Sequence, residues 1–217
     1  MTLDSELVII VDDDFRVREA ISDLLASRNL DSVAFGSAAE YLCFGNPKVP
    51  SCLVLDMSLP DIDGLELQDA IASSPHPQIV FISGHGDIPS SVRAMKAGAI
   101  DFLTKPVAEE PLLQAIWAAL NRDRELRRYR AELEQIEHQY GLLTPREREV
   151  LPLVVSGLLN KQAAAILGIS EVTFQIHRSK IMRKLATHSI TDLVRIAEKL
   201  NISLPSTKKE LGGNHDA

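Results

Sequence analysis

The sequence predicts an α/β domain built on a five-stranded, doubly wound parallel sheet, followed by a smaller all-α, four-helix domain. Three observations carry this. Five short apolar runs alternate with amphipathic helical stretches over about 120 residues, the pattern of strands joined by crossover helices. The runs are continuously apolar, as strands covered on both faces require. The charge then changes sign: residues 1–120 carry 7 Lys/Arg and 18 Asp/Glu, net −11, and residues 121–217 carry 16 and 12, net +4. Two modules with different partners are expected.

The first strand is LVIIVDD, and a helix from Phe15 to Ala26 follows with Val17, Ile21, Leu24 and Leu25 on one face. Asp14 reads as an acid in its first turn. SVAF is a weak second strand, after which Ser37 caps a helix through Phe44. CLVLD is the third strand, GLELQDAIA its helix, QIVFIS the fourth strand and IDFLTK the fifth. Between the last two, IPSSVRAMKAGA is helical and ends at Gly98. A long helix begins near Glu109 and runs to about Gln139, with neither Pro nor Gly between Pro111 and Gly141. Along it, Leu126, Tyr129, Leu133, Ile136 and Tyr140 recur at spacings of 3, 4, 3 and 4. So short a stripe fits a linker helix packed on its own domains, or a seam between two copies of the chain.

Thr144 opens the next helix as its N-cap, with Pro145 at the first helical position and Glu147 completing a capping box. Pro152 falls inside this helix and is expected to kink or break it, because it removes a backbone donor. A helix over 160–167, the turn Gly168-Ile169-Ser170 and a helix over 171–185 make a helix-turn-helix. A last helix spans about 191–200. The domains are therefore placed at 1–122 and 142–204, with a helical linker at 123–141 and a polar, disordered tail at 205–217.

Composition excludes several classes. No apolar stretch reaches the roughly 18 residues of a membrane span. The start, MTLDSELVII, is acidic before its apolar run and does not read as a signal peptide. Cys43 and Cys52 are too few for a disulfide framework or a zinc site, and both are expected to be buried thiols of a cytoplasmic protein.

Ligands of a doubly wound sheet bind at the C-terminal strand ends. Asp12 and Asp13, Asp56, Ser83 and Lys105 all end strands there. Three converging carboxylates repel one another, and a hard divalent cation is the natural remedy. A hydroxyl at Ser83 and an ammonium at Lys105 suit an incoming phosphoryl group, so Asp56 reads as a nucleophile. Pro60 stiffens the loop beyond it, and Gly64 permits a close turn into the next helix.

The segments VIIVDDD, CLVLDMSLPDIDG and VFISGHGDIPSSVRAMKAGAIDFLTKP together resemble the receiver domain of bacterial two-component response regulators, a flavodoxin-like fold. The resemblance implies that Asp56 accepts a phosphoryl group from a sensor histidine kinase. It implies Mg2+ (or Mn2+) bound by Asp12, Asp13, Asp56 and the backbone carbonyl of Ser58. Ser83 and Phe102 become switch residues and Lys105 a phosphoryl contact, with a cis Lys105–Pro106 bond. Ser58 and His85 border the site where family members tune the lifetime of the phosphoryl group.

In the second helix of the pair, Phe174, Ile181 and Leu185 share one face, with His177 and Arg178 at its edges. Gln175, Ile176, Ser179 and Arg183 point the other way, suited to base edges, and Lys161, Lys180, Arg183 and Lys184 are available for phosphates. LTPREREVLPLVVSGLLNKQAAAILGISEVTFQIHRSKIMRKL resembles the LuxR-type output domain, and the whole chain resembles the FixJ/NarL regulators. That resemblance makes the 171–185 helix the recognition helix. It assigns base-facing roles to Gln175, Ile176 and Ser179 and phosphate contacts to Asn160, Lys161, Thr173 and Lys180. The expectation is a transcriptional regulator that acts on itself only, dimerises when phosphorylated, binds promoter DNA and meets RNA polymerase. The rivals are a DNA-binding regulator whose receiver is never phosphorylated, and a Mg2+-dependent phosphohydrolase. No second acid follows Asp56 closely enough for the latter.

Overall fold

The computed structural model describes residues 6–84 and 88–203. The tail from Leu204 onward and His85 lie outside them. Two compact units meet between Arg128 and Tyr129.

The front unit holds β1 (Leu7–Val11), α1 (Phe15–Ser27), β2 (Asp31–Phe35), α2 (Ala38–Phe44), β3 (Ser51–Asp56), α3 (Gly64–Ile71), β4 (Gln78–Ser83), α4 (Ile88–Lys96) and β5 (Asp101–Thr104). The long helix α5 (Glu109–Gly141) starts here and crosses the boundary between the units. The five strands pair in parallel in the order β2-β1-β3-β4-β5. Alternate strand residues face opposite layers, as the pleat dictates. Val8, Ile10, Val54, Val80 and Ile82 pack with Ile21 and Leu25 of α1 and with Leu112, Ile116 and Leu120 of α5. Ile9, Val11, Leu53, Leu55 and Phe81 pack with Tyr41 of α2, Leu65 and Leu67 of α3 and Ala94 of α4. The chain leaves β1 for β2 on one side and returns to β3 on the other. This opens the binding crevice beyond the C-terminal ends of β1 and β3.

Asp14 is the N-cap of α1, accepting from the Arg16 N–H at 2.8 Å, so it lies just before the first turn and not within it. Cys52 is buried, but Cys43 is exposed. The seven-residue α2 buries only Ala38 and Tyr41, and the residue two after Tyr41 turns outward. Gly64 meets a strict requirement: a Cβ there would lie 2.6 Å from the Asp56 carbonyl oxygen and 3.1 Å from Phe81. Only glycine lets α3 start this close to the end of β3.

The rear unit contains the end of α5 with α6 (Pro145–Val155), α7 (Asn160–Ile166), α8 (Glu171–Lys184) and α9 (Ile190–Lys199). Leu143, Val150, Leu151, Val154, Phe174, Ile181, Leu185 and Leu193 form its core, and Tyr140 packs against it. Ile136 is 7% exposed. It lines one cleft with Leu185, Thr187 and Ile196. The far end of the stripe on α5 is thus covered by the chain itself, which favours the first of its two readings. The capping box forms as expected between Thr144 and Glu147. Gly168 adopts a φ of +65° just past α7, the left-handed conformation that lets the helix stop and the turn begin.

Pro152 does not break its helix. α6 runs through it from Pro145 to Val155. The carbonyl deprived of a partner belongs to Arg148, on the exposed face, where water can supply the bond, while Leu151, Leu153 and Val154 on either side are buried. Packing outweighs the lost donor.

Candidate functional site

The carboxylates expected at the crevice are there. Asp12 and Asp56 are buried, Asp13 is exposed, and each presents an oxygen within 4.8 Å of the others. The Lys105 ammonium lies between two of them, 2.6 Å from Asp12 Oδ2 and 2.8 Å from Asp56 Oδ2. It follows directly on β5, and its N–H donates to the Ser83 carbonyl at 2.7 Å. The Lys105–Pro106 bond is cis. Burial pushes the Asp12 carboxyl above its ordinary value, although Lys105 and the Asp14 N–H pull the other way. Burial alone would lower the Lys105 ammonium, but its hydrogen bonds to Asp12 and Asp56 outweigh that and raise it. The site is therefore a tight acid cluster held together by one ammonium. Hard oxygen donors this close fit Mg2+ or Mn2+.

Ser58 lies just beyond, where its N–H donates to Asp56 Oδ1 at 3.3 Å. Ser83 is buried at the end of β4. Phe102, on the adjacent β5, is half-buried with its ring centroid 6.3 Å from that of Phe81. The structure thus brings Asp12, Asp13, Asp56, Ser58, Ser83 and Lys105 to one edge, with Phe102 beside them.

In the rear unit, α8 buries Phe174 and Ile181 and leaves Gln175, Ile176, Ser179, Lys180 and Arg183 exposed. These five share one open surface with Val172. Lys161 is exposed on α7. Thr173 is half-buried and engaged in the cap, its N–H donating to Ser170 Oγ at 3.1 Å. The Asn160 side-chain oxygen accepts from Arg178 at 3.1 Å, so Asn160 fastens α7 to α8. Lys184 is not available for phosphates. It sits 2.7 Å from the buried Glu147 carboxylate and also donates to the Leu142 carbonyl. It lies one turn past Ile181, at the margin of the packed face, where Glu147 needs a counter-charge.

Comparison with known proteins decides what this arrangement belongs to. Residues 8–117 match the model of the response regulator receiver domain, and residues 141–197 match that of the bacterial regulatory proteins of the luxR family. The chain is a response regulator. It is 45% identical over 204 residues to nodulation protein W of Bradyrhizobium diazoefficiens, covering 94% of this chain and 90% of that one. It is 39% identical to the transcriptional regulatory protein FixJ of Azorhizobium caulinodans, over 88% of this chain and 90% of the relative. The solved structure of response regulator StyR matches with a TM-score of 0.80 and 45% identity, over 90% of this chain and all of that one. Receiver and output domain together make the regulator a phosphorylation-dependent, DNA-binding transcription factor, as the two sequence resemblances implied. Among the described residues, no helix is long and apolar enough to cross a membrane.

Three residues of the regulator that the sequence reading passed over also shape its sites. Arg18 donates to the main-chain oxygens of Asp12 and Asp13. Asp61 accepts from the first amides of α2, Ala38 and Ala39, and ties the loop after Asp56 to that helix. Asp123, fully buried on α5, accepts from the Ser51 N–H and from Arg127. Asp123 thus packs within the front unit, which extends to Arg128.

Glu147 gives the output domain a pH dependence. Burial alone would raise its carboxyl, but Lys184 and Thr144 outweigh burial and hold it below the ordinary 4.5. A folded value below the unfolded one gives stability that is present above about pH 4.5 and lost as the pH falls through the lowered value. Glu147→Gln is expected to flatten the acid limb of output-domain unfolding, followed by circular dichroism. An unchanged limb would remove Glu147 as its source.

Proposed function

We propose that the regulator accepts a phosphoryl group on Asp56 from a sensor histidine kinase in the bacterial cytoplasm, and then binds promoter DNA as a dimer. The observation that supports this is the Lys105 ammonium, lodged between Asp12 and Asp56 at the mouth of the crevice. It holds negative charge together and can transfer to phosphoryl oxygens once they arrive. An Asp56 oxygen attacks phosphorus while the bond to the donor imidazole nitrogen breaks and its electron pair returns to the kinase histidine. Asp12, Asp13, Asp56 and the Ser58 carbonyl would hold Mg2+ or Mn2+, which supplies charge neutralisation for the phosphoryl oxygens. The Ser83 hydroxyl donates to one of those oxygens. Phe102 turns inward behind it. The changed face carries α4 and β5 and promotes dimerisation, which places two α8 helices on a two-fold DNA site and presents the complex to RNA polymerase.

Beryllofluoride with Mg2+ is expected to convert the full chain to a dimer on sizing and to tighten its binding to a selected duplex. Equal binding with and without it would favour a receiver that acts without phosphorylation.

On α8, Gln175, Ile176 and Ser179 read base edges, while Lys161, Lys180 and Arg183 meet phosphates. Asn160, which ties α7 to α8, and Thr173, engaged in the cap of α8, support that docking. Lys161→Ala is expected to weaken binding to all duplexes alike and to lower the salt slope by about one ion. Gln175→Ala is expected to cost about 1–3 kcal/mol on the preferred site only. Titrations on selected and scrambled duplexes at several salt concentrations separate the two. An equal loss on both duplexes for Gln175→Ala would withdraw this reading face.

A further inference from the structure

The loop after β1 must hold Asp12 and Asp13 in one orientation, yet the two are held very differently. Asp12 is buried, and its carboxylate is fixed by Lys105 and by the Asp14 N–H at 2.9 Å. Asp13 is exposed, and among the described residues no hydrogen bond fixes its carboxylate. Its main chain therefore sets where that side chain starts. Among the described residues, one side chain holds the carbonyls of that main chain from outside the loop. Arg18 Nη1 donates to the Asp12 carbonyl at 2.6 Å and to the Asp13 carbonyl at 3.0 Å.

Arg18 is itself steadied. Its guanidinium lies 5.8 Å from the centroid of the Phe15 ring, one turn back on α1. Its Nη1 also lies beside Gly36, beyond the end of β2, 3.5 Å from where a Cβ there would sit, an ordinary contact distance. The guanidinium thus joins the loop after β1 to α1 and lies beside the end of β2.

We propose that Arg18 is a positioning residue for the divalent cation of the receiver, acting through the backbone of Asp12 and Asp13 and touching neither the cation nor the phosphoryl group. This rests on the reading of the acid cluster as a cation site. Two roles predict opposite results. As a charge, a guanidinium near the site repels the cation, so neutralising it would tighten binding. As a clamp, it sets ligand geometry, and groups that orient metal ligands are worth on the order of ten-fold or more in affinity. Lysine keeps the charge but not the planar guanidinium that lies over the Phe15 ring and so presents Nη1 to both carbonyls.

The test is Mn2+ binding to the full unphosphorylated chain, followed by electron paramagnetic resonance of the free ion, for wild type, Arg18→Lys, Arg18→Gln and Phe15→Leu. Both Arg18 variants are expected to raise the dissociation constant on the order of ten-fold. Phe15→Leu, which removes the ring but keeps the guanidinium, should raise it less, with the thermal transition of the receiver unchanged in all three. Affinity at or above the wild-type level in Arg18→Gln, or full retention in Arg18→Lys, would overturn the clamp. If the Arg18 variants lose the folded receiver, an unaltered affinity in Phe15→Leu would overturn it instead. Wild type that binds no Mn2+ would overturn the cation site itself and Arg18's role with it.

Discussion

Asp56→Asn is expected to abolish labelling by acetyl phosphate. An amide oxygen is no nucleophile, so no acyl phosphate can form at that position. The substitution keeps shape and volume, and the Lys105 contact at 2.8 Å can persist to the side-chain oxygen. The receiver should stay folded, which makes loss of labelling a statement about chemistry. Lys105 would still face Asp12 at 2.6 Å. The same variant is expected to lose any gain in DNA affinity on treatment with acetyl phosphate, while its basal binding remains that of the wild type. Mass spectrometry of the treated chain gives the first readout and a duplex titration the second. A mass increase of one phosphoryl group on Asp56→Asn, mapped to Asp12 or Asp13, would move the acceptor and leave Asp56 as a ligand.

The catalytic edge was legible because each of its residues ends a continuous apolar run. Apolar runs mark strands, and parallel strands bring their ends to one edge, so the order of elements alone assembled Asp12, Asp13, Asp56, Ser83 and Lys105. Arg18 was not legible, because it acts on main-chain oxygens and leaves no pattern in side-chain types. Pro152 was weighed by its effect on an isolated helix. Its cost falls on the carbonyl of Arg148, an exposed residue, which sequence periodicity could have revealed, since Val150, Leu151 and Val154 define the buried face. Lys184 was grouped with the other basic residues of α8 because composition does not distinguish an ammonium facing solvent from one 2.7 Å from a buried carboxylate. Asp123 carried a readable signal. It lies three, four and seven residues after Leu120, Ala119 and Ile116, all buried on one face of α5, so the helical period places an acid in the core.

That acid is expected to be the most sensitive polar position of the receiver. Asp123 Oδ2 accepts from the Ser51 N–H at 2.9 Å and from Arg127 Nε at 2.6 Å, while Oδ1 has no partner among the described residues. Arg127 also donates to the Pro47 carbonyl at 3.0 Å. The carboxylate therefore joins the start of β3, the loop before it and the root of the linker helix at the sheet edge opposite Asp56. Removing the buried carboxylate leaves the buried Ser51 N–H and a half-buried guanidinium uncompensated, at a cost of about 2–4 kcal/mol, the lower side of what a fully buried pair shows. Asp123→Ala is expected to lower receiver stability by that amount in urea. Trp117, the single tryptophan of the chain and two turns before Asp123 on α5, is the fluorescent reporter. Replacing both partners with apolar residues, Asp123→Leu with Arg127→Met, should recover much of the loss, because no half-buried guanidinium is then left without its carboxylate. A loss below about 1 kcal/mol in Asp123→Ala would mean that water reaches the cluster and solvates what the carboxylate leaves behind. No recovery in the double variant would assign the cost to the Ser51 N–H, the one donor that no substitution at 127 can relieve.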